Sequence, residues 1–235
     1  MNRSINDILL FMGLIFISLV ASGFIFISIY DVENLEEIGP GGYLINGILS
    51  QVIVFFGSFV LFLRITKTDY KTLIWIKPLE RKWVLRSLTI LAVSYLIIFL
   101  LSYFNGLLEL LLPNHPAIIR SQDISSKQAE VLLSFDGVRI LYSIFVVSIL
   151  PAIAEELVFR GFLLRKIFEL KPSQPVAIGI SALVFAVVHF QVLNFLPILF
   201  MGIVFGYVYM TSKNILYPML MHFVFNASQV ILAHY

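Results

Sequence analysis

Apolar residues in this chain come in long unbroken runs. The first, about 6–30, reads "NDILLFMGLIFISLVASGFIFISIY". Others cover about 43–65, 84–112 and 137–170, and three more, about 174–190, 194–211 and 214–233, follow with very short turns between them. About 20 consecutive apolar residues carry a helix across the hydrocarbon of a bilayer. A membrane β-strand would instead alternate apolar and polar positions over about 10 residues, and no run does so. The pattern predicts an all-α, polytopic transmembrane helix bundle of about seven spans. The first run is too long for a signal-peptide core and precedes other spans, so it reads as a retained helix.

Composition agrees with this reading. Of 235 residues, 60% are hydrophobic and 13% charged, which is too few charges to clothe a soluble domain of this size. A net charge of +2 gives no reason to expect a nucleic-acid partner. The absence of cysteine removes disulfides, thiolate metal sites and thiol nucleophiles. Basic residues gather beside the runs: Arg64, Lys67, Lys71, Lys77, Arg81, Lys82 and Arg86 between the second and third spans, Arg165, Lys166 and Lys171 after the fourth, Lys213 before the last. The first connection, "DVENLEEIGPGG" (31–42), is acidic and has no Lys or Arg. The positive-inside rule therefore predicts a cytoplasmic N-terminus and an external C-terminus. "LIWIKPLERKW" (73–83) reads as a short interfacial segment with Trp75 and Trp83 at headgroup level. The polar connection 113–136 reads as a long outer loop without assigned chemistry.

Ionisable groups inside the runs carry the functional signal, because a charge at the centre of a membrane helix costs about 2.5–3.5 kcal/mol on insertion scales. "ILPAIAEELVFRGFLL" (149–164) holds three of them. Glu156 and Arg160 are four residues apart on one helical face, acid first, the favourable order for a pair. Glu155 is turned about 100° away from Glu156 and is left without that cation, which suits it to general acid–base work. Two histidines also lie in the C-terminal spans, His189 in "FAVVHF" and His222 in "MHFVFN"; His115 and His234 lie outside the spans and carry no expectation. Counted from a turn at Pro172, Glu155 and His189 lie at equal heights of about 25 Å. Counted from Lys213, His222 and Asn226 lie at about 13 and 20 Å, so Asn226 is the better match in depth.

"EELVFR" (155–160), "FAVVH" (185–189) and "HFVFN" (222–226) together resemble the E-E-x-x-x-R, F-x-x-x-H and H-x-x-x-N motifs of the CPBP intramembrane protease family, which includes type II CAAX prenyl proteases and bacteriocin-immunity proteins. The resemblance covers about 137–233. It divides one membrane domain into N-terminal helices and outer loop (1–136) and a catalytic helix bundle (137–235). It implies an intramembrane endopeptidase acting on a membrane-associated peptide or protein. Glu155 would be the general base and His189 would help to hold the attacking water. His222 and Asn226 would form the oxyanion hole, with Glu156 and Arg160 organising the site and Phe185 packing beside it. No cofactor is required on this reading. A zinc-dependent version, with Glu155, His189 and His222 as ligands, stays open as the alternative, although the H-E-x-x-H pair of zinc proteases is absent. Aspartyl and serine intramembrane chemistries are set aside. The rival class is a non-catalytic immunity or binding protein; a transporter using Glu155 as a proton carrier would leave the histidines unexplained. A bacterial plasma membrane is the expected location. Gly202 and Gly206, at G-x-x-x-G spacing, are expected to pack the sixth span within the bundle, and Pro151 to free a backbone carbonyl near the glutamates.

Overall fold

Each predicted span corresponds to a helix. The computed structural model describes residues 3–30, 39–134, 137 and 139–233, with only the backbone of 132 and 139. Most of the acidic connection (31–38) and His234 lie outside the described residues. Among the described residues five helices are long and apolar enough to cross a membrane: α1 (Arg3–Ile29), α2 (Pro40–Thr66), α4 (Arg81–Leu111), α6 (Ile140–Leu170) and α8 (Phe195–Ser212). Two apolar helices are shorter, α7 (Gln174–Val187) and α9 (Leu216–Leu232). At 14 and 17 residues they rise roughly 21 and 25 Å. A single turn, α3 (Tyr70–Leu73), follows α2.

The connection 113–136 departs from the sequence reading, for it contains a helix, α5 (Pro116–Leu133). Its polar composition hides it from a hydropathy reading, although Ile118 near its start and Val131 near its end are buried. Pro116 is acceptable at a first helical position, where no N–H is needed. His115 accepts the Ala117 N–H through Nδ1 at 3.3 Å. The helix is tied to the α7–α8 turn: the Leu193 N–H donates to Ser121 Oγ at 3.1 Å, and Gln191 Nε2 donates to Gln128 Oε1 at 3.2 Å.

Residues 74–80 form no helix and strap the α8–α9 end of the bundle. The Ile215 N–H donates to the Trp75 carbonyl at 2.8 Å. Asn214 Nδ2 donates to the Lys77 carbonyl at 2.9 Å, and the Glu80 N–H to Tyr217 Oη at 2.8 Å. The Arg165 guanidinium lies 3.9 Å from the Trp75 ring centroid and Arg86 4.8 Å from that of Trp83. α2 and α8 both end in left-handed lysines, Lys67 and Lys213, the conformation that turns a chain sharply out of a helix.

Two contacts set the helix arrangement around the site. Phe11 of α1 stacks on Phe162 of α6 at 4.2 Å between centroids, with Phe62 of α2 edge-on to both. This clamps the N-terminal helices onto α6. On the other side α8 lies against α7 through its glycines, as their spacing predicts. A Cβ at Gly202 would stand 3.0 Å from Ala182 Cβ and 3.1 Å from Ala182 Cα; one at Gly206 would meet Ile178 at 3.1 Å and Leu164 at 3.3 Å. At Gly202 the obstruction is backbone and cannot swing aside. Gly202→Val is expected to lose about 1–3 kcal/mol, read as a lowered Tm in detergent. Gly106→Ala, which meets nothing within 4 Å, should leave Tm unchanged or slightly raised.

Candidate active site

α6 positions the site through its own irregularity. Pro151 has no N–H to offer the Val147 carbonyl four residues earlier. Around it the helix is wound in the wider π form over Phe145–Ile149, and again over Leu157–Leu164, a distortion common at functional sites. The carbonyl Pro151 leaves free is taken from another helix: Asn226 Nδ2 of α9 donates to Val147 O at 3.0 Å.

Between the two π stretches lie Glu155 and Glu156, both buried. Glu156 Oε1 accepts from Arg160 Nη1 at 2.8 Å, with the two side chains 0% and 1% exposed. The same oxygen is 3.0 Å from His222 Nδ1. Arg160 Nη2 donates to the Gly202 carbonyl at 3.1 Å, and the guanidinium carbon lies 4.5 Å from the Phe185 ring centroid and 5.3 Å from that of Phe205. Cation–π contact of this kind strengthens when desolvated. The absence of a Cβ at Gly202 thus brings α8 close enough for its carbonyl to hold Arg160.

Glu155 faces a different set of groups. Its Oε2 lies 3.9 Å from His222 Nε2 and 4.0 Å from His189 Nε2, and it is buried without a hydrogen-bond partner among the described residues. Its Oε1 accepts from Gln51 Nε2 of α2 at 2.8 Å. His189 lies in the turn after α7, its Nδ1 2.6 Å from the Phe185 carbonyl. That oxygen can only accept, so Nδ1 carries a proton and Nε2 is the ring nitrogen that faces Glu155.

Arg160 serves Glu156 and not Glu155, as the helical spacing predicts. Glu155, His189 and His222 converge, and Phe185 does more than fill space, since its ring meets Arg160 and the His189 ring (4.7 Å) while its carbonyl fixes His189. The order of depth is reversed. His222 reaches both glutamates, whereas Asn226, one turn further along α9, spends an N–H on Val147. Heights counted at a straight α-helical rise overstate the distance of Glu155 from the turn, because Leu157–Leu164 is π-wound and shorter per residue. Sequence reading missed Gln51 and Phe205. Gln51 carried a usable signal, a lone amide in the apolar run "LSQVIVFFG", costly at that depth for the same reason as a charge. Phe205, one phenylalanine among 22, carried none.

Zinc bound at roughly 2.0–2.2 Å by tetrahedral ligands would hold them about 3.4 Å apart. The observed 3.9 and 4.0 Å are wider, and no group of three among the described residues is placed to hold a metal. These side chains as arranged do not fit the ion.

Residues 137–228 match the family model described as type II CAAX prenyl endopeptidase Rce1-like. No curated protein and no solved structure matches the chain. The similarity to the Rce1-like family is carried by this C-terminal part of the chain. Its long apolar helices make the protein an integral membrane protein, and all four convergent ionisable residues, with Arg160 and Asn226, lie in the matched region; Gln51 does not. Ser181 also lies there, in "GISA" (179–182), which carries the G-x-S-x spacing of a serine intramembrane protease. Its hydroxyl donates to the Phe159 carbonyl at 2.9 Å in a buried position, so it packs α7 on α6 and takes no part in the cluster.

Removing one member of the buried pair exposes its cost. Arg160→Met is expected to lose about 3–5 kcal/mol by leaving Glu156 uncompensated. Adding Glu156→Gln should recover much of that loss, read by thermal unfolding of both variants in the same detergent.

Proposed function

We propose that the protein is an intramembrane endopeptidase in which Glu155 activates water for attack on a peptide bond of a membrane-associated substrate. The observation that carries this reading is the unpartnered Glu155 Oε2, faced by the Nε2 atoms of His222 and His189 at 3.9 and 4.0 Å. Separations of that size suit a bridging water rather than direct bonds. The water donates one proton towards Glu155 Oε2 and the other towards His189 Nε2, on a ring held by the Phe185 carbonyl. Glu155 takes the first proton as the water oxygen bonds to the substrate carbonyl carbon. The tetrahedral oxyanion then collapses, the C–N bond breaks, and Glu155 returns the proton to the leaving amine.

The oxyanion requires donors. His222 can donate from Nε2 while Nδ1 donates to Glu156 only if its ring carries both protons. In that state two carboxylates face one guanidinium and one imidazolium, and the buried cluster is neutral. Asn226 keeps a second Nδ2–H beyond the one on Val147, and this is the other donor of the proposed oxyanion site. Removing one such donor typically costs about 10²–10³ in kcat. No step uses a metal. The Lys/Arg distribution supports a cytoplasmic N-terminus, and the family description supports substrates cut beside the membrane, with a prenylated tail as one case.

The test is cleavage of a peptide library by the full chain in detergent, with Glu155→Gln in parallel and a chelator added. Cleavage lost in the variant and kept with the chelator is the expected result. Loss with the chelator and return with zinc would make His189, His222 and Glu155 ligands after all. A folded wild type that cuts nothing while Glu155→Gln is equally well tolerated would favour a binding protein.

A further inference from the structure

Glu155 must present one particular oxygen to the histidines, and nothing in its own helix makes it do so. The terminal torsion of a glutamate is broad and roughly two-fold, so an unanchored carboxylate would swing and exchange its oxygens. Arg160 does not hold it: its Nη1 donates to Glu156 and its Nη2 to the Gly202 carbonyl. Among the described residues, the donor within hydrogen-bond distance is Gln51 Nε2, 2.8 Å from Oε1. We infer that Gln51 is a positioning residue for Glu155, pinning Oε1 so that Oε2 alone faces His189 and His222; the inference rests on the proteolytic reading above.

Three further observations support this assignment. Gln51 is buried in the π-wound stretch Ser50–Gly57 of α2, so its donor arrives from a helix other than the one carrying the base. The amide orientation is forced, since the reversed amide would set an oxygen acceptor against the carboxylate. The other end of the side chain, Oε1, is buried and makes no hydrogen bond, so Gln51 belongs to no network of its own. Chemically, an amide suits a base better than a lysine or arginine would. It fixes Oε1 by a directed N–H and adds no positive charge beyond those already in the cluster. Gln51 lies outside residues 137–228, and the site is therefore completed by a helix the family match does not reach.

The experiment compares wild type with Gln51→Met, which keeps the length and loses the donor, and Gln51→Asn, which keeps the amide and withdraws it by one methylene. Two readouts are taken: kcat and KM on a peptide that wild type cleaves, and the infrared carboxylate stretch of Glu155, isolated by subtracting the Glu155→Gln spectrum. Both variants are expected to keep a near wild-type Tm and KM, to lose about 10- to 100-fold in kcat, and to show a displaced carboxylate band. An unchanged kcat with an unmoved band overturns the assignment, as does a loss carried wholly by KM. If wild type cleaves no peptide, the proteolytic reading fails on its own, and the infrared band still decides whether Gln51 holds Glu155.

Discussion

One carboxylate oxygen, Glu156 Oε1, holds the centre of this molecule together. It accepts from Arg160 of its own helix and lies 3.0 Å from His222 of α9, all within a largely apolar bundle. An isolated buried charge would cost several kcal/mol even after relaxation. Sharing one oxygen between two donors spreads that cost over three side chains and joins two helices. Arg160 then carries the link to α8 through the Gly202 carbonyl and lies against the rings of Phe185 and Phe205. The guanidinium is thereby tied to a carboxylate, a backbone acceptor and two aromatic faces in a place where water would otherwise be needed.

That arrangement explains why the surrounding helices have the shapes they do. Small residues let α7 and α8 approach until Gly202 and Ala182 are in contact, and only then can a backbone carbonyl of α8 reach into the cluster. The π-wound turns of α6 rotate the glutamates relative to an ideal helix, and the carbonyl released by Pro151 is satisfied across the bundle by Asn226. The α-helical hydrogen bond missing at Pro151 becomes an anchor for α9, the helix that also carries His222. Packing and site chemistry are therefore the same contacts seen from two sides.

Long apolar runs made the spans legible, and the i,i+4 spacing made the Glu156–Arg160 pair legible, because both depend on local geometry alone. α5 was not legible: a polar amphipathic helix has neither the hydropathy of a span nor the glycine and proline punctuation of a loop. The relative depths of His222 and Asn226 were misjudged for a related reason, since counting residues assumes a uniform rise and α6 does not have one. Gln51 fell between these cases. Its cost at membrane depth was visible in the sequence, but its partner lies 104 residues away, and no spacing rule connects the two.

The distance between those partners bears on how the site is built. The motif-bearing helices supply every ionisable group in the cluster, yet they place a direct hydrogen-bond donor on neither oxygen of the central base, whose Oε1 takes its donor from elsewhere. That donor comes from α2, which the Phe11–Phe162–Phe62 contacts hold against α6. Apolar packing of the first two helices thus sets the position of a single amide hydrogen, and through it the direction in which Glu155 presents its free oxygen. A substitution in that aromatic clamp, far from any ionisable group, would act on the site by moving α2 rather than by altering the chemistry of the cluster itself.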